Sequence, residues 1–422
     1  MRASNGHLPL AGTRVLELGH IVAGPTAALI LADLGADVVK IERPDGGDQA
    51  RRMSGNGYVF YFLNRNKRSI VLDLKAPAGK EAFRRLVRTA DVVLDNYAPG
   101  VLDRLGLGYD ALAALNPRLV YLSLKGFLPG PYEHRPSLDE LAQMMGGLAY
   151  MTGPRGQPLR AGASIIDIGA ATYGVIAILA ALAQRERTGR GERIVAGLYE
   201  TSVFWVGQWM AMSALNGEPS VPMPEAGQSV RMGWGIFHLF PTADGEQVFI
   251  AVTSNAHWER FCGALGLPDL LADERLDSNL KRVAARPWLL PRVREETAKY
   301  PSAALLELLE RAGVPCGPVR RPDQLLDDPH LTATDQLLPV PLPDGATAPL
   351  PKLPWRSDAY AFGLRRPPPG LGEHTREVLA EAGLIDQEID ALLAAHAIEA
   401  GAPVDRGAPQ SAPPAREGET TP

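Results

Sequence analysis

The chain has 422 residues, with 43 Lys and Arg against 48 Asp and Glu for a formal net charge of −5. With 45% hydrophobic and 22% charged residues its composition is globular, with length for two or three domains, which excludes fibrous and disordered classes. The acidic balance gives no electrostatic reason for a nucleic-acid partner, and two distant cysteines, Cys262 and Cys316, read as buried bystanders in a reducing cytoplasm rather than as a disulfide.

From Arg14 the chain alternates short β-branched runs with helical stretches: RVLEL, a helix over about 25–34, ADVVKIER, SIVLDL, a helix over about 80–88, DVVLDN, a helix over about 101–115, and LVYLSL. That alternation predicts an α/β fold with a parallel, doubly wound, Rossmann-like sheet. The first strand-to-helix turn, GHIVAGPT from Gly19, has Pro25 near the helix start and is a candidate ligand-facing turn. A helix is expected over about 138–151, and another of some eighteen residues opened by Asp167. The N-terminal MRASNGHLPLAGTR has no apolar h-region and the apolar run over 165–182 is interrupted by Asp167 and Tyr173, so neither a signal peptide nor a membrane span is expected. After Ser213 the composition shifts. FHLFPTADGEQVFIAV then carries Asp244 and Gly245 between two alternating apolar runs, a hairpin signal. The expected organisation is a large domain over 1–215, a smaller α+β domain over 216–325, a return to the large domain over 326–400 and a disordered tail over 401–422.

Motifs that would fix a mechanism are absent from the sequence: no G-x-x-x-x-G-K-[ST], no G-x-G-x-x-G after the first strand, no G-x-S-x-G and no H-E-x-x-H. The eight histidines show no pair at metal-ligand spacing, and no metal is expected. One carboxylate stands alone in an apolar context, Asp167. It reads either as a helix N-cap or as a nucleophile kept ionised by the helix dipole, with nearby N–H groups to stabilise an oxyanion. A second pattern is cations near strand ends: Arg43, Lys67, Arg68, Lys75, Arg104 and Lys125. They read either as solvated charge or as a joint site for a phosphate-bearing ligand.

Six blocks in order carry a resemblance: RVLELGHIVAGPTAALILADLGADVVKIERPDGGD, NRNKRSIVLDLK, NYAPGVLDRLGLGYDALAALNPRLVY, RAGASIIDIGAATYGVIAILAALAQRERTGRGE, GVPCGPV and LGEHTREVL. Over about residues 10–395 the sequence resembles the class III CoA-transferases, the family of formyl-CoA and carnitine-related CoA-transferases and α-methylacyl-CoA racemases. The resemblance implies that Asp167 is the catalytic aspartate, passing through a mixed anhydride and an aspartyl-CoA thioester. It implies a coenzyme A thioester as substrate, no tightly bound cofactor, and an interlocked homodimer. Val22, Ala23, Arg43, Leu72, Lys75, Asn96, Tyr97, Ala98 and Arg104 match CoA-contacting positions, with Val22 standing where formyl-CoA transferase has a glutamine. Asp139 matches an acidic residue near the catalytic site.

The racemase branch places a histidine before the aspartate of RPSLDEL, where this chain has Leu138, which cannot move a proton. Hydrolysis of the aspartyl thioester by water is compatible with the same residues, and a catalytically silent CoA-binding protein would keep the same fold. AGQSVRMGWGIF lacks the glycine run of formyl-CoA transferase, and several blocks look closer to the branch acting on dicarboxylates, with succinyl-CoA as the expected donor. Arg160 and Arg231 are candidates for a distal carboxylate, against ordinary surface charge.

Overall fold

The computed structural model describes residues 8–226, 233–342 and 345–402. Contacts divide the chain into two units, Met1–Gly146 with Ala161–Val206 and Leu326–Pro422, and Gly147–Arg160 with Gly207–Leu325. The chain therefore enters the second unit at 147–160, an excursion that composition does not mark. The sequence placed its first crossing near 215.

The first unit is built on six parallel strands: β1 (Arg14–Leu18), β2 (Asp37–Glu42), β3 (Lys67–Leu72), β4 (Val92–Asp95), β5 (Val120–Lys125) and β6 (Arg193–Gly197). Their central members are buried on both faces, which parallel strands covered by helices require. The long helix Ile165–Thr188 packs on β5 and β6 and on the helix Ala23–Asp33. Gly174 permits its close approach, since a Cβ there would lie 2.8 Å from Leu122. Among the described residues this helix is the one long and apolar enough to cross a membrane; one face packs on the sheet and on Ala23–Asp33, while Ile168, Tyr173, Ile176 and Leu179 are exposed on the other. It ends at Gly189 in the left-handed conformation that suits a helix C-terminus.

In the second unit β7 (Ile236–Pro241) and β8 (Gln247–Val252) form the antiparallel hairpin expected around Gly245, and β9 (Cys316–Pro318) joins β8. Helices Asn255–Ala264, Asn279–Thr297 and Ser302–Arg311 supply its own apolar core, including the buried Cys262. Back in the first unit, β10 (Leu337–Pro341) pairs with β11 (Thr347–Pro351), and β12 (Ile398–Glu399) adds antiparallel to β3. The main sheet reads β12-β3-β2-β1-β4-β5-β6. Strand order reverses between β1 and β4, which makes the carboxyl ends of those two strands the topological switch point.

Two expected helices are broken. The stretch over 101–115 forms Val101–Arg104 and Tyr109–Leu115, parted at Gly106 with φ +71. The stretch over 138–151 forms Asp139–Met145 and Leu148–Thr152, parted at Gly147 with φ +84. In each case a glycine in the left-handed region stops the first helix, a stop that apolar periodicity alone does not reveal. The tail beyond residue 402 lies outside the described residues.

Candidate active site

At the switch point the turn after β1 meets the loop after β4. The turn is tight. A Cβ on Gly24 would stand 2.5 Å from the Cα of Gly19, so neither backbone can carry a side chain there. His20 stacks on Tyr97 with ring centroids 5.5 Å apart. Burial keeps the His20 imidazole below its ordinary pKa, outweighing the pull of Asp48 toward the charged form. His20, Arg43, Gln49 and Tyr97 share a cavity of about 140 Å³ with Gly19, Gly47 and Asp48. Two of the residues matched to CoA contacts, Arg43 and Tyr97, thus converge, and Arg43 is exposed.

Ala98 lies in a neighbouring cavity of about 320 Å³ that also holds Asp95, Lys125 and Arg193. Asn96 accepts the His20 N–H and donates to the His20 carbonyl, both at 2.9 Å, so its amide braces the turn. Ala23 and Leu72 are 3% and 1% exposed, leaving no side-chain surface for a ligand. Lys75 and Arg104 are exposed, and Val22 is the unadorned N-cap of the Ala23–Asp33 helix.

Three cations read as candidate phosphate ligands are committed elsewhere. Lys67 and Arg68 begin β3 rather than precede a loop. Lys67 is fully buried against Glu17, Asn64 and the Pro25 carbonyl, and Arg68 pairs with Asp37, Glu377 and Glu381. Lys125 pairs with Asp95 and donates to the Tyr97 carbonyl at 2.7 Å. Their acidic partners are distant in sequence, which is why a local reading left them free.

Asp167 is not an N-cap. Its helix starts two residues earlier, with Ser164 as the N-cap residue, and Asp139 provides the cap from another helix. The Oδ2 of Asp139 accepts the N–H of Ile166 at 2.7 Å and of Asp167 at 3.0 Å. Gln143 donates to the other Asp139 oxygen and accepts the Ala161 N–H at 2.8 Å. This overturns two sequence expectations. The N–H groups of this first turn are spent on Asp139 and, for Ile168, on the Ser164 carbonyl, so they form no oxyanion hole. The Asp167 carboxyl is also not depressed: burial, then the charge of Asp139, push it up to about 7. A carboxyl poised there is largely ionised just above neutrality and retains the basicity that a nucleophile needs.

Leu138, preceding Asp139, is 71% exposed and supplies no proton-transfer group. Arg160 belongs to the second unit, and Arg231 lies outside the described residues. Sequence reasoning missed His20, whose signal was a lone imidazole in the turn already singled out.

A doubly wound sheet with an open switch point, and one carboxylate raised to near neutrality, is the frame of an α/β ligand-binding protein. The chain belongs to CoA-transferase family III, whose family model matches residues 10–375, and it is an enzyme that transfers CoA. It is 36% identical to a succinate–glutarate CoA-transferase of Agrobacterium fabrum, over 90% of this chain and 97% of that one. It is 33% identical to a succinyl-CoA–D-citramalate CoA-transferase of Chloroflexus aurantiacus, over 92% and 98%. A solved CAIB/BAIF family protein from Brucella suis matches with a TM-score of 0.81 at 33% identity, over 89% of this chain and all of that one.

Proposed function

We propose that the enzyme moves CoA from succinyl-CoA, or a similar acyl-CoA, to a dicarboxylic acid through Asp167. The observation that carries this reading is the Asp167 carboxyl itself, partly buried, raised to about 7 and without a cation partner among the described residues. An Asp167 oxygen attacks the donor thioester carbonyl and CoA leaves as thiolate, giving an aspartyl–acyl anhydride. The thiolate then attacks the aspartyl carbonyl, forming an aspartyl-CoA thioester and releasing the donor carboxylate. The acceptor carboxylate attacks that thioester, and the thiolate, released again, attacks the acceptor acyl carbonyl and restores the Asp167 carboxylate. Every step exchanges one leaving group for one nucleophile.

In this reading His20, Arg43 and Tyr97 receive the nucleotide end of CoA, with Lys75 and Arg104 as outlying cations, while Asn96 keeps the turn in place. Asp139 supports Asp167. The relatives named for succinate, glutarate and citramalate support a dicarboxylate acceptor. The enzyme acts in the cytoplasm as a homodimer. An apolar cavity of about 600 Å³ beside the exposed Ile168, Ile176 and Leu179 supports association, because water-facing apolar surface of that extent favours a partner.

The test is incubation with succinyl-CoA and a panel of acids (glutarate, malate, citramalate, itaconate, acetate, oxalate), followed by chromatography of the CoA esters. New acyl-CoA esters of the dicarboxylates are expected, and none with Asp167→Ala. Free CoA as the sole product would make the enzyme a hydrolase, and full exchange by Asp167→Ala would remove the mechanism.

A further inference from the structure

Four charged side chains that the chemistry does not use lie fully buried beneath the turn after β1. Lys67 Nζ stands 2.8 Å from Glu17 Oε2, Glu17 Oε1 stands 3.0 Å from Lys40 Nζ, and Lys40 Nζ stands 2.9 Å from Asp48 Oδ2. None of the four side chains is more than 1% exposed. Two cations and two carboxylates alternate, so the chain is neutral overall. Buried ion pairs are poor stabilisers, because desolvation offsets most of their attraction. Stability alone therefore does not account for three such pairs in one row.

What the row touches does. Lys40 donates to the Gly19 carbonyl at 2.8 Å, Asp48 Oδ1 accepts the Ile21 N–H at 3.1 Å, and Lys67 donates to the Pro25 carbonyl at 3.0 Å. The entry, middle and exit of the turn are each gripped by a member of the same ion chain. Between the first two, His20 is held at both its N–H and its carbonyl by Asn96. Ile21 sits at φ +62, a region that β-branched residues avoid and that persists only where the surroundings impose it. Asp48 is the side chain that binds the Ile21 N–H, and Asp48 is itself tied to Lys40 and to the Ala50 N–H.

We propose that the buried chain Lys67–Glu17–Lys40–Asp48 is a positioning device that holds the Gly19–Pro25 turn in the form that receives CoA. The inference rests on the reading of this turn as the CoA site. A turn fixed before binding spares the ligand the cost of ordering it, so the device acts on affinity and leaves the covalent steps at Asp167 alone. Asp48, Lys40, Glu17 and Lys67 are positioning residues.

The test compares wild type with Asp48→Ala, Asp48→Asn and the double variant Asp48→Ala with Ile21→Gly. It measures KM for succinyl-CoA, kcat at saturation and the Kd of free CoA by calorimetry. Asp48→Ala is expected to raise KM and Kd together by about 10-fold, with kcat within about twofold, the scale set by losing the charged hydrogen bond to the Ile21 N–H. Asp48→Asn, which keeps an acceptor for the Ile21 N–H, falls between. Adding Ile21→Gly recovers part of the loss, because glycine takes φ +62 without strain, a rescue that a general loss of stability would not give. Hydrogen exchange at residues 19–25 rises in Asp48→Ala and gives a readout without turnover. Should Asp48→Ala fail to fold, Asp48→Asn carries the same comparison. A soluble variant that binds CoA like wild type, or one that loses kcat with KM unmoved, overturns the proposal. A wild type that binds no CoA overturns the reading of the turn and this inference with it.

Discussion

Replacing Asp139 by Asn separates the charge of that residue from its cap. The Asp167 carboxyl stands at about 7 against an ordinary 3.8, a gap worth ~4 kcal/mol, with burial the largest cause and Asp139 the next. Asp139 and Asp167 belong to two helices that meet at this cap; two like charges ~6 Å apart at an effective dielectric of about 20 repel by ~3 kcal/mol, a ceiling that solvent reaching Asp167 reduces to about one pKa unit. Asparagine keeps an oxygen for the Ile166 and Asp167 N–H groups and removes the charge, at the expense of the Gln143 hydrogen bond. In the proposed mechanism the attacking form is the ionised Asp167 carboxylate, so activity is expected to be full above its pKa and to fall about tenfold per pH unit below it. In kcat/KM for succinyl-CoA between about pH 4.5 and 9, the acidic limb of wild type is expected near pH 7 and that of Asp139→Asn about one unit lower. A limb that stays in place or moves up would refute the electrostatic role given to Asp139.

Asp167→Asn is expected to melt higher than wild type at pH 8. Raised above its unfolded value, the Asp167 carboxyl contributes stability that is complete below about pH 4 and lost as pH climbs through about 7, a loss of ~2 kcal/mol after solvent screening that asparagine avoids. An advantage equal at pH 4 and pH 8 would contradict this. Gly24→Ala should cost ~2 kcal/mol or more in denaturant unfolding and raise KM for CoA esters, because its Cβ meets backbone at 2.5 Å; Gly263→Ala, with nothing within 4 Å, is the neutral control. Arg68→Ala should lose ~3 kcal/mol of stability through its three carboxylate partners yet leave KM for CoA esters unchanged, and a raised KM in the folded variant would return Arg68 to the ligand.

The parallel sheet was legible because strands buried on both faces read as short β-branched runs, and Asp167 drew notice as a candidate because a lone acid in an apolar stretch stands out. The cations were misread for a reason of register. Starting β3 at Ser69 instead of Lys67 puts Lys67 and Arg68 before the strand, where they look free, whereas they open it and point into charged partners such as Glu17 and Glu381. Those two partners lie far away along the chain, and no local pattern announces them. The cap on the Asp167 helix was hidden in the same way, since Asp139 lies 28 residues upstream on a different helix. The stop at Gly147 was visible as a glycine pair but not as a stop, because apolar periodicity continues through it.

Charge is buried in two opposite ways around this site, and the contrast explains what each is for. Beneath the turn, every carboxylate has a cation within 3.0 Å, and the result is neutral and fixed. At Asp167 no cation accompanies the carboxyl among the described residues, and its nearest charged neighbour has the same sign. A cation beside Asp167 would pair with its carboxylate but would lower the Asp167 pKa and with it the basicity of its oxygens. Uncapped N–H groups at the helix start would act in the same direction through their positive end of the dipole. By occupying those N–H groups with a negative group, Asp139 removes one source of depression and adds a source of elevation. The same contact that caps the helix start therefore raises the pKa of the residue three positions into it, which is the state the proposed attack by Asp167 calls for.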